Sequence, residues 1–163
     1  MTLDATTVTT PIGELALIAR DGVAVASGFA SIETMAARLP AEDVARHRDL
    51  GDLSKAVAAY FAGDVRALDD LPVEQPGSEF FQLAWKVMRE VPAGETISYA
   101  ELAESAGRPR AIRAAASACA RNLVAPIVPC HRIVRTGGSL GGYYYGLPAK
   151  EWLLQHERAH AGG

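Results

Sequence analysis

A cysteine, a histidine and an arginine follow one another in the chain as Cys130, His131 and Arg132. A thiol becomes a nucleophile toward carbon when its proton is removed, and His131 and Arg132 are residue types that favour the thiolate, as a base or as a positive charge. Glu157, on a helix predicted over 148–158, is a carboxylate suited to orient the imidazole. Neighbouring side chains usually diverge, so a buried thiol beside a surface imidazole is the alternative interpretation.

The sequence contains one further cysteine, Cys119. Two thiols form neither a disulfide framework nor a four-thiolate zinc site, so we expect no metal, no cofactor and a reducing, cytoplasmic compartment. Cys119 falls in an alanine-rich segment and is interpreted as a small structural residue.

Positive charge is concentrated in one part of the chain. The formal net charge is −3, yet residues 105–150 contain no Asp or Glu and seven basic residues, namely Arg108, Arg110, Arg113, Arg121, Arg132, Arg135 and Lys150. This asymmetry predicts that part of the surface meets phosphates, while the acidic remainder keeps the protein soluble. The alternative is an accidental accumulation of arginines in exposed loops.

Helices are predicted around these residues from caps and periodicity. Ser78 and Glu79 begin a helix whose apolar face comprises Phe80, Phe81, Leu83, Ala84, Val87 and Met88. Residues 98–106 form a short helix that ends at Gly107, and 110–121 form a second one. The short turn between them makes the pair a candidate helix-turn-helix, and an ordinary helical hairpin is an equal alternative.

The second of these helices, 110–121, carries mostly methyl groups and one mid-helix cation, Arg113. A helix that reads base edges would carry Asn, Gln or several Arg. Small side chains instead allow close approach to a sugar-phosphate groove, with little sequence specificity. A tightly packed core helix is the competing interpretation.

The first half of the chain predicts a small antiparallel sheet with two helices. Strands are expected over 6–10, 15–19 and 23–29, helices over 31–39 and 52–61, and a linker over 69–77. The length of 163 residues suits one core, or a core with a small subdomain. The sequence contains no apolar run of about 18 residues and no basic-then-apolar pattern typical of a secretory signal, so no membrane association is expected.

Ordered motifs run from about Phe80 to Glu157. They are Arg113-Ala114, Arg121-Asn122, Pro129-Cys130-His131-Arg132-Ile133-Val134, Gly138-Ser139-Leu140-Gly141-Gly142-Tyr143 and Lys150-Glu151-Trp152-Leu153-Leu154. In identity and spacing they closely resemble the methylated-DNA–protein-cysteine methyltransferases, also called O6-alkylguanine-DNA alkyltransferases. The hairpin that begins near Thr9 fits that family's small ribonuclease-H-like domain.

The resemblance implies a role for each residue of the chemical site. Cys130 takes a methyl or larger alkyl group from O6 of guanine, once per molecule, because a thioether is a very poor leaving group. His131 draws the thiol proton through a water, and Glu157 holds the imidazole. Tyr99 donates its hydroxyl proton toward the departing guanine. Asn122 ties the recognition helix to the active-site segment.

The resemblance also implies double-stranded DNA containing O6-alkylguanine as the partner, with O4-alkylthymine as an alternative substrate. The target base flips out, Arg113 fills its place, and the helix lies in the minor groove. The implied DNA-binding residues are Arg110, Arg113, Ala114, Ala115, Ser117 and Arg121. The implied pocket, in the loop 134–145 and beyond, is formed by Val134, Gly142, Tyr143, Tyr144, Tyr145 and Lys150. A monomer is implied, with cooperative binding on DNA as an alternative.

The fold implied is α+β, with a ribonuclease-H-like antiparallel-sheet domain over 1–76 and a mostly helical domain with a helix-turn-helix over 77–163. Ala115 stands where the family usually has Val, and Leu123 where Pro is common. Tyr144 and Tyr145 are bulky where some relatives have small residues, so we expect a pocket that accepts methyl better than benzyl adducts. The first half lacks cysteine, so the zinc site of some relatives has no counterpart.

Three other classes of protein remain as alternatives. A non-catalytic sensor of alkylated bases typically replaces the cysteine of this motif, whereas Cys130 is present. A helix-turn-helix regulator needs base-reading side chains or dimer symmetry, and the sequence shows neither. A thiol hydrolase turns over repeatedly, so the number of groups transferred per molecule distinguishes it.

Overall fold

The computed structural model describes residues 2–40 and 43–162, which divide into two compact units. The first unit comprises Met1–Gln75 with Leu123–Ile127, and the second comprises Pro76–Asn122 with Val128–Gly163. Both helices and strands are present, so the predicted α+β class is confirmed. No helix among the described residues is long and apolar enough to cross a bilayer.

The first unit is built on a four-stranded sheet with the order β3-β2-β1-β4. Its strands are β1 (Leu3–Thr10), β2 (Gly13–Arg20), β3 (Val23–Gly28) and β4 (Val44–Arg46). Asp21 and Gly22 both have positive φ, as a tight hairpin turn between β2 and β3 requires. β4 pairs parallel with β1, so the prediction of a purely antiparallel sheet is wrong at this edge.

Two helices accompany the sheet, α1 (Ile32–Ala36) and α2 (Asp52–Phe61). The prediction for 52–61 is confirmed, whereas the helix expected over 31–39 ends at Ala36. The core of this unit consists of buried side chains from both kinds of element, including Leu15, Leu17, Met35, Val57 and Tyr60.

The second unit begins with α3 (Glu79–Glu90), whose N-cap Ser78 accepts the Phe81 N–H as predicted. The buried residues of α3 are Phe80, Ala84, Trp85 and Met88. Trp85 belongs to this face rather than Leu83, which is 41% exposed. The Trp85 indole donates to the Ala118 carbonyl at 2.9 Å, so a directional bond supplements apolar packing between these helices.

The remaining elements of the second unit place chain segments around one site. They are β5 (Ile97–Ser98), α4 (Tyr99–Ser105), α5 (Ile112–Ala120), β6 (Ile133–Val134) and α6 (Leu147–His160). α4 begins in a capping box between Ser98 and Glu101. β5 and β6 pair in parallel, so α4 and the loop 135–146 leave this small sheet at the same end.

Candidate active site

Cys130 begins a short 3₁₀ turn, Cys130–Arg132, and lines a cavity of about 360 Å³. The residue is buried, and burial raises the pKa of its thiol. A hydrogen bond from the Asn122 side chain and the positive charge of Lys150 oppose this rise in pKa. The Asn122 amide also donates to the Val128 carbonyl at 2.8 Å. The positive environment that the sequence suggested from Arg132 therefore comes from Lys150.

His131, Arg132 and Glu157 form a buried hydrogen-bonded group. His131 Nε2 lies 2.7 Å from Glu157 Oε2, and Arg132 donates to both oxygens of the same carboxylate, at 2.9 and 3.0 Å. Arg132 also donates to the Val91 carbonyl at 2.7 Å. Burial opposes ionisation of Glu157, but the charge and hydrogen bonds of Arg132, together with the hydrogen bond from His131, hold the pKa of its carboxyl far below its usual range. Glu157 is thus an ionised acceptor.

The carboxylate determines which nitrogen of His131 acts as a base. An ionised carboxylate only accepts, so Nε2 carries the proton and Nδ1 has the lone pair. Nδ1 is buried and has no hydrogen-bond partner among the residues that the structure describes. Burial lowers the pKa of His131 despite the neighbouring Glu157, which favours the neutral ring. The geometry thus provides a neutral imidazole with one unpaired acceptor atom.

Lys150 is fully buried and holds the chain that surrounds the cavity. Its Nζ donates to the carbonyls of Ile133, Leu140 and Gly142, at 2.7, 2.5 and 3.2 Å. Three points of the backbone, in β6 and in the loop that follows it, are thus attached to one ammonium on α6. Burial lowers the pKa of Lys150.

Tyr99 lies in the cavity wall beside this loop. Gly141 has a φ of +72°, and a Cβ built on it would lie 2.8 Å from the Tyr99 hydroxyl oxygen, so only glycine fits there. Burial, followed by the charges of Cys119 and Cys130, raises the pKa of Tyr99 to about 12. The phenol is therefore protonated at neutral pH and is able to donate.

One face of α5 forms part of the cavity wall. Ala116, Cys119 and Ala120 line it, together with Cys130 and Tyr99 from other segments. The sequence interpretation missed these three as site residues, although their spacing of three and four residues is that of one helical face. Cys119, interpreted as merely structural, is thus a wall residue of the same cavity.

The outer surface of α5 carries most of the side chains expected to meet DNA. Arg113 and Ser117 are exposed, as are Arg110 and Arg121 at the two ends of the helix, and Ala114 is half-buried. Ala115 is fully buried, so its assignment as a DNA-binding residue is corrected. It lies three residues from buried Ala118, on the face turned toward the protein interior, while Ala116 is exposed.

Comparisons with known proteins show the family to which this chain belongs. Residues 79–159 match the family described as 6-O-methylguanine DNA methyltransferase, DNA binding domain. A methylated-DNA–protein-cysteine methyltransferase of Methanosarcina barkeri is 40% identical over 119 residues, which span 73% of this chain and 75% of that protein. The chain belongs to the methylated-DNA–protein-cysteine methyltransferase family.

Other family members extend the similarity. A protein of the same name from Shigella flexneri is 42% identical over 107 residues, or 66% of this chain, but the match covers only 63% of that protein. A Mycobacterium tuberculosis OGT, solved in complex with DNA, is 30% identical with a TM-score of 0.83, covering 96% of this chain and 94% of that one. The fold is therefore shared along nearly the whole chain.

Among the pocket residues that the family resemblance implied, the structure brings some together and not others. Gly142, Tyr143 and Tyr144 line the cavity. Val134 is buried nearby in β6, and neither it nor Tyr145 is part of the wall. Lys150 is not part of the wall either, but its ammonium donates to the three carbonyls that hold the loop in place. No group of three potential metal ligands occurs among the described residues.

Proposed function

We propose that this protein repairs DNA directly, by transferring the alkyl group of O6-alkylguanine to Cys130 in a single-turnover reaction. The observation that carries the proposal is a buried cysteine in the wall of a cavity, next in sequence to a histidine that is hydrogen-bonded to an ionised glutamate. Membership of the methyltransferase family supports it.

The proton path follows from the tautomer of His131. Nδ1, the unpaired atom, accepts the thiol proton of Cys130 through a bridging water, and Glu157 stabilises the imidazolium that forms. The Asn122 hydrogen bond and the Lys150 charge stabilise the thiolate. Because burial disfavours a standing thiolate, the proton leaves only as the alkyl group arrives.

The alkyl group moves by in-line displacement. A bond forms between Sγ of Cys130 and the alkyl carbon as the bond from that carbon to O6 breaks, and the electron pair stays on guanine. Tyr99, protonated because of its raised pKa, donates toward the departing base and limits its negative charge. A thioether and normal guanine result, and no step regenerates the thiol.

DNA reaches the cavity when the damaged base leaves the duplex. The exposed side chains of Arg110, Arg113, Ser117 and Arg121 contact the backbone, and Arg113 occupies the place of the flipped base. Ala114, with exposed Ala116 in place of Ala115, allows α5 to approach the minor groove closely. Binding should depend little on base sequence, because small side chains occupy most of this face of α5 and the minor groove that it approaches distinguishes base pairs poorly.

The proposed function includes a division into two domains, a monomeric state and a cytoplasmic location. The sheet unit corresponds to the ribonuclease-H-like domain predicted over 1–76, to which 123–127 also belong, and the rest of 77–163 forms the DNA-binding and alkyl-acceptor domain. The protein acts as a monomer on double-stranded DNA, in a reducing cytoplasm that keeps Cys130 as a thiol.

Mass spectrometry with a residue-specific digest tests the proposal. The protein is mixed with excess duplex DNA that carries one O6-methylguanine, and its intact mass is followed over time. We expect a gain of one methyl group and no more. Cleavage after arginine separates the two thiols into peptides 114–121 and 122–132, so the methyl group must be found on the second. Cys130→Ser is expected to gain nothing, and Cys119→Ser serves as the matched thiol control.

The results would separate the alternative functions. Lesion-selective binding without a mass change would make the protein a damage sensor. Repeated release of methanol or methyl groups without a stable adduct would indicate a turnover enzyme. Either result contradicts the proposal.

Adduct size is expected to matter because of Tyr144, which is 58% exposed and lines the cavity. Its bulk narrows the mouth, so wild-type protein should react faster with O6-methylguanine than with O6-benzylguanine. Tyr144→Ser should reduce that ratio of rates more than Tyr145→Ser does, because Tyr145 lies outside the wall and packs against the rings of Tyr143 and Tyr144. Equal rates of wild-type protein on the two substrates would remove the hypothesis.

A further inference from the structure

The cavity that contains the acceptor Cys130 has a second thiol in its wall. Cys119 and Cys130 are the only cysteines of the sequence, and both line this cavity. Both are free thiols, Cys119 half-buried on α5 and Cys130 buried in the 3₁₀ turn. A chain with two cysteines thus presents both of them to one small space.

Cys119 and Cys130 share neighbours as well as the cavity. Burial, followed by a charge on Cys130, raises the pKa of Cys119, and the positive charge of Lys150 opposes the rise in pKa of both thiols. Asn122, three residues after Cys119, donates to the Val128 carbonyl and is hydrogen-bonded to the Cys130 thiol. This residue links the end of α5 to the acceptor segment. Small Ala116 and Ala120 on either side of Cys119 leave room for its side chain to move.

We propose that Cys119 is a resolving thiol for Cys130, so that oxidation by hydrogen peroxide produces a reversible disulfide between them. Cys130 attacks the peroxide oxygen, the O–O bond breaks, and a sulfenic acid and water form. Cys119 then attacks that sulfur, the S–O bond breaks, and a second water leaves. The two electrons lost by the thiols reduce one peroxide molecule, and a dithiol reductant reverses the change.

The disulfide would protect an acceptor that can be used only once. A sulfenic acid left without a thiol partner proceeds with more peroxide to the sulfinic acid, which dithiols do not reduce. The crosslink stops the oxidation one step earlier. It also occupies the sulfur that accepts the alkyl group, so the oxidised protein is inactive until reduced. Only this last consequence rests on the proposed function.

The test uses the complete protein without DNA. It is exposed to a small excess of hydrogen peroxide, residual thiols are blocked with N-ethylmaleimide, and a non-reducing digest is analysed by mass spectrometry. We expect the intact mass to fall by about 2 Da, as two hydrogens are lost. Peptides 114–121 and 122–132 should be found joined and should separate with dithiothreitol.

Variants give a second measure that does not depend on the crosslink itself. After peroxide and then dithiothreitol, wild-type protein should regain its methyl-accepting capacity. Cys119→Ser and Cys119→Ala, each compared with its own untreated activity, should lose that capacity permanently and gain about 32 Da on peptide 122–132, for two added oxygens.

Each possible result decides the proposal. A sulfinic acid on Cys130 of the wild type with Cys119 still reduced, a crosslink between two molecules, or no oxidation of Cys130 would overturn it. Joined peptides in a protein that never accepts a methyl group from DNA would instead overturn the proposed function and leave the resolving thiol standing.

Discussion

The seven basic side chains between residues 105 and 150 divide into two groups with opposite surroundings. Arg132 and Lys150 are buried, at 4% and 0% exposure, and donate to a carboxylate and to backbone carbonyls. The exposed arginines are Arg108, Arg110, Arg113, Arg121 and Arg135. None of these five forms an ion pair within the part of the chain that the structure describes.

This difference indicates that the buried basic side chains position the site, whereas the exposed arginines are available to bind DNA. A buried charge is tolerated only when its partners are fixed, so His131, Arg132, Lys150 and Glu157, which we call the buried ionic cluster, are part of the fold. An exposed charge contributes little to folding and remains available to phosphates. Substitutions in the cluster should therefore affect stability and chemistry, and substitutions of the exposed arginines should affect DNA affinity.

The largest effect is expected for Glu157→Ala. The change leaves the Arg132 guanidinium buried without its carboxylate and removes the partner of His131, which should lower the free energy of unfolding by about 3–5 kcal/mol. Urea denaturation measures this. Glu151→Ala, an exposed position on the same helix, is the matched control and should cost no more than about 0.5 kcal/mol. Similar losses of unfolding free energy in the two variants would contradict the distinction between the buried ionic cluster and the exposed charges.

Lys150→Met should have the next largest effect. It removes the donor to three carbonyls and should cost about 2–3 kcal/mol, because buried acceptors would be left without a charged donor. Amide hydrogen exchange should accelerate in the loop 135–146. Lys86→Met, at an exposed position of α3, provides the comparison. Unchanged amide exchange rates in this loop of Lys150→Met would show that the ammonium does not hold the loop in place.

Acid should weaken the cluster in two steps. The pKa of His131 is lowered in the folded state, so the unfolded chain binds more protons below the ordinary value of 6.5, and stability falls as the pH drops below it. Glu157 behaves likewise below its ordinary value of 4.5. Each group contributes at most about 1.4 kcal/mol per pH unit. His131→Gln should remove the first step from a series of denaturation curves. Persistence of that step would assign it to another group.

The smallest effect on folding is expected for the double variant Arg110→Gln/Arg121→Gln. Its free energy of unfolding should stay within about 0.5 kcal/mol of wild type. The slope of log affinity for DNA against log salt concentration should become shallower by about 0.9 for each phosphate that the variant no longer neutralises. Arg48→Gln/Arg158→Gln removes the same charge from exposed positions outside the basic segment and should leave the slope unchanged. Equal slopes for the two double variants would contradict a specific role.

Some contacts of the candidate site could be expected from the sequence, because Cys130, His131 and Arg132 are contiguous and the neighbouring motifs are strong. The pairing of His131 with Glu157 was expected, and the structure has it at 2.7 Å. Lys150 was expected to line the pocket, whereas in the structure it is not part of the cavity wall and its ammonium donates to three backbone carbonyls. Nothing in the sequence indicates that this ammonium is buried. A run of alanines does not show which face of α5 is turned toward solvent, because it has no polar side. For this reason Ala115 was assigned to the DNA-binding surface although it is buried. The strand at 44–46 is too short to show an alternating pattern.

The division between cluster and exposed arginines is tested most directly by single-turnover methyl transfer measured against DNA concentration. His131→Gln keeps the Arg132–Glu157 pair, so it should lower the maximum rate by about a hundredfold or more, without changing the half-saturating DNA concentration. Arg110→Gln/Arg121→Gln should raise the half-saturating concentration and leave the maximum rate unchanged. The opposite pattern, or a change in both quantities for both variants, would contradict the account.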